Sequence, residues 1–137
     1  MIIIDTGPLV ALFDKDDQYH NICKNSLKLI REPLITNWPV LTETMYLLSF
    51  SPVAQDLCLR FIESAGIIVR GGDSQEMPRI RQLMKQYKDL PIDFTDASII
   101  VLAEAEKITS IFTLDHKDFR IYSPKHIKAF RLIPEQK

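Results

Sequence analysis

The sequence begins with a strand that ends in a carboxylate, and this stretch constrains the fold more than any other. Ile2, Ile3 and Ile4 are consecutive β-branched residues, a pattern that favours a short strand buried on both faces. Asp5 follows directly, and Pro8 then stands where the first turn of a helix tolerates a proline. A charge next to a buried strand needs a cation or hydrogen bonds. Asp5 is therefore either a helix cap or a metal-binding or catalytic acid.

Short apolar runs alternate with helical spacing along the rest of the chain. Further strands are predicted at residues 34–36, 67–69 and 111–114, with an edge strand at 129–133. The helix that begins near Asp93 is apolar almost all round, which indicates a central, buried position. Such alternation is typical of an α/β fold. No linker or repeat interrupts the 137 residues, so we predict one domain over residues 1–137.

Charge and composition narrow the function classes. The formal net charge is -1, so a polyanionic partner would need local basic patches or metal ions. One basic group runs from His116 to Lys137. Cys23 and Cys58 lack the spacing of a zinc site or a disulfide framework, which indicates a reducing compartment. The N-terminus does not resemble a signal peptide and no apolar run reaches membrane-spanning length, so we expect a cytoplasmic protein without membrane contact.

Four acids recur at equivalent places in this pattern. Asp5 and Asp115 each follow a predicted strand, and Glu43 and Asp96 each lie in the first turn of a predicted helix. If the sheet is parallel, all four project over one edge, where α/β sheets bind ligands. Clustered carboxylates stay ionised together only when cations neutralise them, and all-oxygen ligands favour Mg²⁺ or Mn²⁺. Such sites serve phosphoryl displacement by a metal-activated water.

The ordered set of motifs resembles the PIN domain family, and more narrowly the VapC-type toxins of bacterial toxin–antitoxin pairs. The matching segments are Ile4-Asp5-Thr6, Glu43 in the third helix, Asp96-Ala97 at the start of the apolar helix, and Thr113-Leu114-Asp115 with Asp118-Phe119. The similarity covers essentially the whole chain. It implies a three-layer α/β/α sandwich with a mostly parallel sheet of four to five strands. It also implies a metal-dependent endoribonuclease that uses one or two Mg²⁺ or Mn²⁺ ions.

The resemblance assigns the catalytic and metal-binding roles to four acids. Asp5, Glu43 and Asp96 would be metal ligands, and Asp115 would be the fourth. The family often has one fewer residue before Asp-Phe, so Asp115 and Asp118 compete for that fourth position. We prefer Asp115, because it directly follows the predicted strand.

Supporting roles are also implied by the resemblance. Thr6 or Thr113 would orient a carboxylate or a water molecule through its hydroxyl group. Asp93 is either a helper of the metal ligands or the N-cap of the apolar helix. Independently of the resemblance, Lys117 and Arg120 of the basic group after His116 are candidates for substrate binding.

The resemblance further implies an RNA substrate, a homodimer formed through early and middle helices, and a small antitoxin protein. The antitoxin would block the site, often by inserting a basic residue among the acids. Two other interpretations stay open. One is a catalytically inactive PIN-like binding or scaffold module. The other is a phosphatase of the haloacid-dehalogenase type, which also starts with strand and Asp but needs a second acid two residues later, where this chain has Gly7.

Overall fold

A computed structural model describes residues 1–90 and 92–135. Lys137, part of the predicted basic group, lies outside the described residues. Within those ranges the strands are β1 (Ile2–Ile4), β2 (Leu34–Thr36), β3 (Ile68–Val69), β4 (Ser110–Phe112) and β5 (Arg131–Ile133). The helices are α1 (Thr6–Phe13), α2 (His20–Leu29), α3 (Trp38–Leu47), α4 (Pro52–Ser64), α5 (Met77–Gln86), α6 (Phe94–Glu106) and α7 (His116–Ile121), with a 3-10 turn at Ser74–Glu76.

The strands form one parallel sheet in the order β3-β2-β1-β4-β5. Ile3 of β1 lies opposite Ile35 on one side and Ile111 on the other. The strand order therefore reverses between β1 and β4, and this is the point where open α/β sheets bind ligands. The predicted three-layer α/β/α architecture with a parallel sheet is confirmed.

The core lies between the sheet and its helices, and α6 is its central helix. Ile3, Ile4 and Ile111 are fully buried in the sheet. Every residue of α6 from 95 to 103 is buried, because helices α3 and α5 pack against it. The prediction of a central apolar helix is therefore confirmed. Helix α1 packs against α2, α3 and α4.

Helix α7 ends at Ile121, and its C-terminal cap, Tyr122, has an extended backbone. Two local predictions near the strand ends were wrong. Glu43 is the sixth residue of α3 and so lies beyond its first turn, because the helix already begins at Trp38. Strand β4 ends at Phe112, so two residues separate the strand from Asp115.

Within the described ranges, none of the helices combines the length and the apolar character needed to cross a lipid bilayer.

Candidate active site

The carboxyl ends of β1 and β4 open into an acidic cleft of about 350 Å³. The acids that line it are Asp5, Asp17, Glu43, Asp93, Asp96 and Asp115. Three of them, Asp5, Asp96 and Asp115, each bring one carboxylate oxygen within 4.8 Å of the others. A larger groove of about 840 Å³ lies between α2 and β5, but none of the predicted site residues lines it. The smaller cleft is therefore the candidate active site.

Asp5 is almost fully buried and is held by two hydrogen bonds. It caps α1 by accepting the Thr6 N–H on Oδ1 at 2.7 Å, and the Thr113 hydroxyl donates to Oδ2 at 2.7 Å. Burial raises the pKa of the Asp5 carboxyl to about 6 in spite of these bonds, and the charges of Asp115 and Glu43 act in the same direction. Asp5 is thus a helix cap and also a member of the acid cluster.

Helix α6 starts beside the cleft and carries Asp96 into it on the first turn. Asp93 caps this helix, as predicted, by accepting the Asp96 N–H at 2.8 Å. Asp96 is 8% exposed, and its Oδ2 accepts a hydrogen bond from the Tyr122 hydroxyl at 3.1 Å. Burial raises the pKa of the Asp96 carboxyl to about 8, and the charges of Asp93 and Asp5 add to that effect. A charged Asp96 therefore calls for a neutralising cation.

Asp115 reaches the cluster from the segment between β4 and α7. It precedes the first residue of α7, and its N–H donates to the Thr113 hydroxyl oxygen at 3.0 Å. Partial burial raises the pKa of the Asp115 carboxyl, and the charges of Asp118 and Asp93 contribute to the increase. Asp118 lies in the first turn of α7 and is half-buried. The group of three close carboxylates contains Asp115 and not Asp118.

Helix α3 brings Glu43 to the same cleft. Asn37 caps this helix, because its Oδ1 accepts a hydrogen bond from the Val40 N–H at 3.0 Å. The Nδ2 of the same side chain donates to the Ser98 hydroxyl of α6 at 3.0 Å. The start of α3 is therefore tied to α6. Across this junction the Thr95 hydroxyl donates to Glu43 Oε2 at 3.2 Å. Glu43 lines the cleft but is not a member of the group of three.

The donor set of the cleft fits a hard divalent cation. Carboxylate oxygens from three separate elements meet there, and such oxygens are the ligands that Mg²⁺ and Mn²⁺ prefer. A second observation agrees with a bound, hydrated ion. The Thr6 hydroxyl at the cleft is buried and has no hydrogen-bond partner among the described residues. Buried hydroxyl groups are normally paired, so this one has capacity for a ligand or an ordered water.

The two predicted substrate-binding residues lie outside the cleft. Lys117 and Arg120 are exposed on α7, which begins directly after Asp115. Among the described residues that line the cleft there is no lysine or arginine. Lys117 and Arg120 therefore lie on the helix that follows Asp115 but outside the lining of the cleft.

The position that a dehalogenase-type phosphatase would need for its second acid is occupied by Gly7 and is tightly packed. An added Cβ at Gly7 would stand 3.3 Å from three side-chain atoms of Leu114. That distance is tighter than ordinary van der Waals contact, so any side chain at this position would require Leu114 to shift by a few tenths of an ångström.

Sequence reasoning missed two features of the cleft. One is Tyr122, whose hydroxyl donates to Asp96. The other is the connection between α1 and α2, which contributes Asp17 and Tyr19 to the lining. Asp17 accepts a hydrogen bond from the Tyr19 N–H at 2.8 Å, and the His20 ring donates from Nδ1 to the Ala11 carbonyl at 2.7 Å. These two hydrogen bonds hold the connection in place. Only the folded chain brings these residues to the acids.

Comparisons with known proteins agree with the geometry. A family model of the PIN domain matches residues 2–123. Ribonuclease VapC26 of Mycobacterium tuberculosis (strain ATCC 25618 / H37Rv) is 26% identical over 135 residues, which cover 97% of this chain and 100% of that protein. The crystal structure of Mycobacterium tuberculosis VapC20, a toxin that cleaves the sarcin-ricin loop, superposes with a TM-score of 0.77. That match covers 84% of this chain and 90% of the other at 19% sequence identity, so it supports the fold alone.

Proposed function

The chain belongs to the PIN domain family, and on that basis we propose that it is a metal-dependent endoribonuclease, the toxin of a toxin–antitoxin pair. The observation that carries the proposal is the group of carboxylate oxygens from Asp5, Asp96 and Asp115, which lie within 4.8 Å of one another. Three acids so close together repel one another unless a cation joins them. The relative VapC26, named a ribonuclease, supports RNA as the substrate class.

The residues of the cleft have different proposed roles in metal binding and in orienting the ligands. Asp5, Asp96 and Asp115 would hold one or two Mg²⁺ or Mn²⁺ ions, with Glu43 as a further acid of the same cleft. A divalent ion in such a site supplies positive charge to the phosphate and lowers the pKa of the attacking water. The Thr113 hydroxyl keeps Asp5 oriented. The Thr6 hydroxyl, which is buried without a hydrogen-bond partner among the described residues, would hold a water molecule near the acids.

The experiment that tests this proposal is calorimetric titration of Mg²⁺ and Mn²⁺ into purified protein, with cleavage of a total-RNA pool as a second readout. Asp5→Asn and Asp96→Asn should lose most metal binding and most cleavage, because each removes a ligand charge from the cluster. Glu63→Gln removes one exposed charge from α4 and should change neither. If the folded wild-type protein binds no metal in the absence of a partner, the nuclease proposal is wrong and an inactive binding module takes its place.

Lys117 and Arg120 are proposed to contact the RNA backbone next to the cleft. Both are exposed on α7, directly after Asp115. The acidic lining of the cleft repels phosphate until a cation binds, so basic side chains at its flank would raise the affinity for RNA. Contacts of this kind position the backbone and do not select a sequence.

An antitoxin and a second copy of the chain are the proposed protein partners. Large apolar side chains are exposed on α3, α4 and the connection between them, among them Tyr46, Phe50 and Val53. Exposed apolar groups of this size are typical of protein interfaces. A basic residue of the antitoxin would neutralise the same acids as the metal.

We also propose a cytoplasmic location, which is supported by the free, buried thiols of Cys23 and Cys58.

A further inference from the structure

Tyr122, the residue after α7, is hydrogen-bonded to Asp96, the buried acid in the first turn of α6. It is 2% exposed, and its hydroxyl donates to Asp96 Oδ2 at 3.1 Å. We propose that Tyr122 is a positioning residue of the metal centre, which holds one oxygen of Asp96 so that the other is presented to the cation. This inference rests on the proposed function, because it concerns the same cation site.

The Tyr122 ring is held firmly enough for this role. It packs edge-on against Phe119, with ring centroids 5.4 Å apart, and against Tyr87, with centroids 5.1 Å apart. The Tyr87 hydroxyl in turn accepts the Ser123 N–H at 2.8 Å, which fixes the backbone directly after Tyr122. A buried side chain that is closely packed on both sides is confined to one rotamer. The hydroxyl group therefore has one well-defined position, against Asp96.

Two residues of the segment 113–122 donate hydroxyl hydrogen bonds to acids of the cluster. At one end of residues 113–122 the Thr113 hydroxyl donates to Asp5 Oδ2 at 2.7 Å. At the other end the Tyr122 hydroxyl donates to Asp96 Oδ2. Asp115 lies between them and is itself the third member of the group. One short segment therefore supplies one ligand and orients the two others.

Hydrogen bonds to a ligating carboxylate fix its orientation, and their loss typically weakens metal binding by about 10- to 100-fold. Tyr122→Phe removes the hydroxyl but keeps the ring and its contacts with Phe119 and Tyr87. We therefore expect a dissociation constant for Mn²⁺ that is about tenfold higher than in the wild type. Since the ligands themselves remain, saturating Mn²⁺ should restore the cleavage rate.

The test is titration of MnCl₂ into the purified full chain at fixed pH, with free Mn²⁺ followed by electron paramagnetic resonance. Tyr46→Phe is the control, because it removes a tyrosine hydroxyl from an exposed side chain of α3 that does not line the cleft, and its Mn²⁺ affinity should stay within about twofold of wild type. Melting temperatures in EDTA establish that both variants are folded. If Tyr122→Phe is folded and binds Mn²⁺ as tightly as wild type, Tyr122 has no positioning role.

A measurement on the wild-type protein tests the inference even if the variant does not fold. The Tyr122 hydroxyl proton should be protected from solvent exchange and visible by NMR, and its resonance should move as Mg²⁺ saturates the site. A resonance that stays unchanged through saturation overturns the inference while the metal site stands. If the wild type binds neither ion, the proposed function and this inference fail together.

Discussion

Replacing Asp5 by asparagine should stabilise the metal-free protein at neutral and alkaline pH. Burial raises the pKa of this carboxyl from 3.8 to about 6, so the folded protein binds more protons than the unfolded chain between those values. The free energy of unfolding therefore falls as the pH rises from about 4 to 6, and the whole penalty is present above that range. A shift of about two pKa units corresponds to about 3 kcal/mol.

The hydrogen bonds of Asp5 reduce that gain. An asparagine oxygen still accepts the Thr6 N–H, but the Thr113 hydroxyl loses the carboxylate oxygen to which it donates at 2.7 Å. The loss of that bond costs about 1 kcal/mol, which leaves a net stabilisation of about 2 kcal/mol. For a chain of this length the expected increase in melting temperature is about 6 °C.

The assay is thermal unfolding of wild type and Asp5→Asn in EDTA at pH 8 and pH 4.5. The variant should melt higher at pH 8. The difference should nearly vanish at pH 4.5, because only about 1 kcal/mol of the charge penalty remains there and the lost hydrogen bond offsets it. Excess Mg²⁺ should reverse the order, because only the wild type gains binding free energy, about 2.7 kcal/mol at 100 times the dissociation constant. A variant that is no more stable than wild type at pH 8 in EDTA, or equally stabilised at both pH values, would refute the reasoning.

Three other perturbations probe separate parts of the molecule. Mn²⁺ affinity should rise steadily between pH 5.5 and 8.5, because the pKa values of Asp5 and Asp96 are raised to about 6 and 8 and binding must displace their protons; calorimetry in buffers of different ionisation enthalpy would detect those protons. Lys117→Ala should weaken RNA binding and lower the slope of log affinity against log salt by about 0.7 to 1, with metal affinity unchanged; an unchanged salt dependence argues against a phosphate contact. Arg79→Met removes two hydrogen bonds to Glu104, at 2.9 and 2.8 Å, and leaves that acid half-buried. The free energy of unfolding should fall by about 2 kcal/mol in urea titrations without any effect on Mn²⁺ binding, and a stable variant would show that the pair contributes little.

Sequence patterns among adjacent residues predicted the strands and the helix ends well. The β-branched run Ile2–Ile4 is a strand buried at every position. Gly66 follows the cap of α4 with a φ of +66°, a conformation that favours glycine. Asp93 caps α6 as its position before the apolar run suggests. Each of these features depends on a few adjacent residues, which is why the sequence reveals them.

Predictions that depended on where an element begins were less accurate. Helix α3 starts at Trp38, so Glu43 is its sixth residue and lies in the second turn instead of the first. The segment after β4 turns early, because the Thr113 hydroxyl contacts both Asp5 and the Asp115 N–H. Helix α7 was not predicted, and it carries Phe119 into the core. Tertiary contacts outweigh local propensity at such boundaries.

The sequence by itself determined that this chain alternates strands and helices and carries acids near the strand ends. Only the tertiary structure decided which of those acids meet and what holds them. The Thr113–Asp5 hydrogen bond joins residues 108 positions apart, and the Tyr122–Asp96 bond joins residues 26 positions apart. Both bonds depend on β1 and β4 being neighbours and on the register of α6 and α7 above them. Hydroxyl–carboxylate contacts act over about 3 Å, so no local pattern can encode them, and they arise only when the sheet has brought distant segments together.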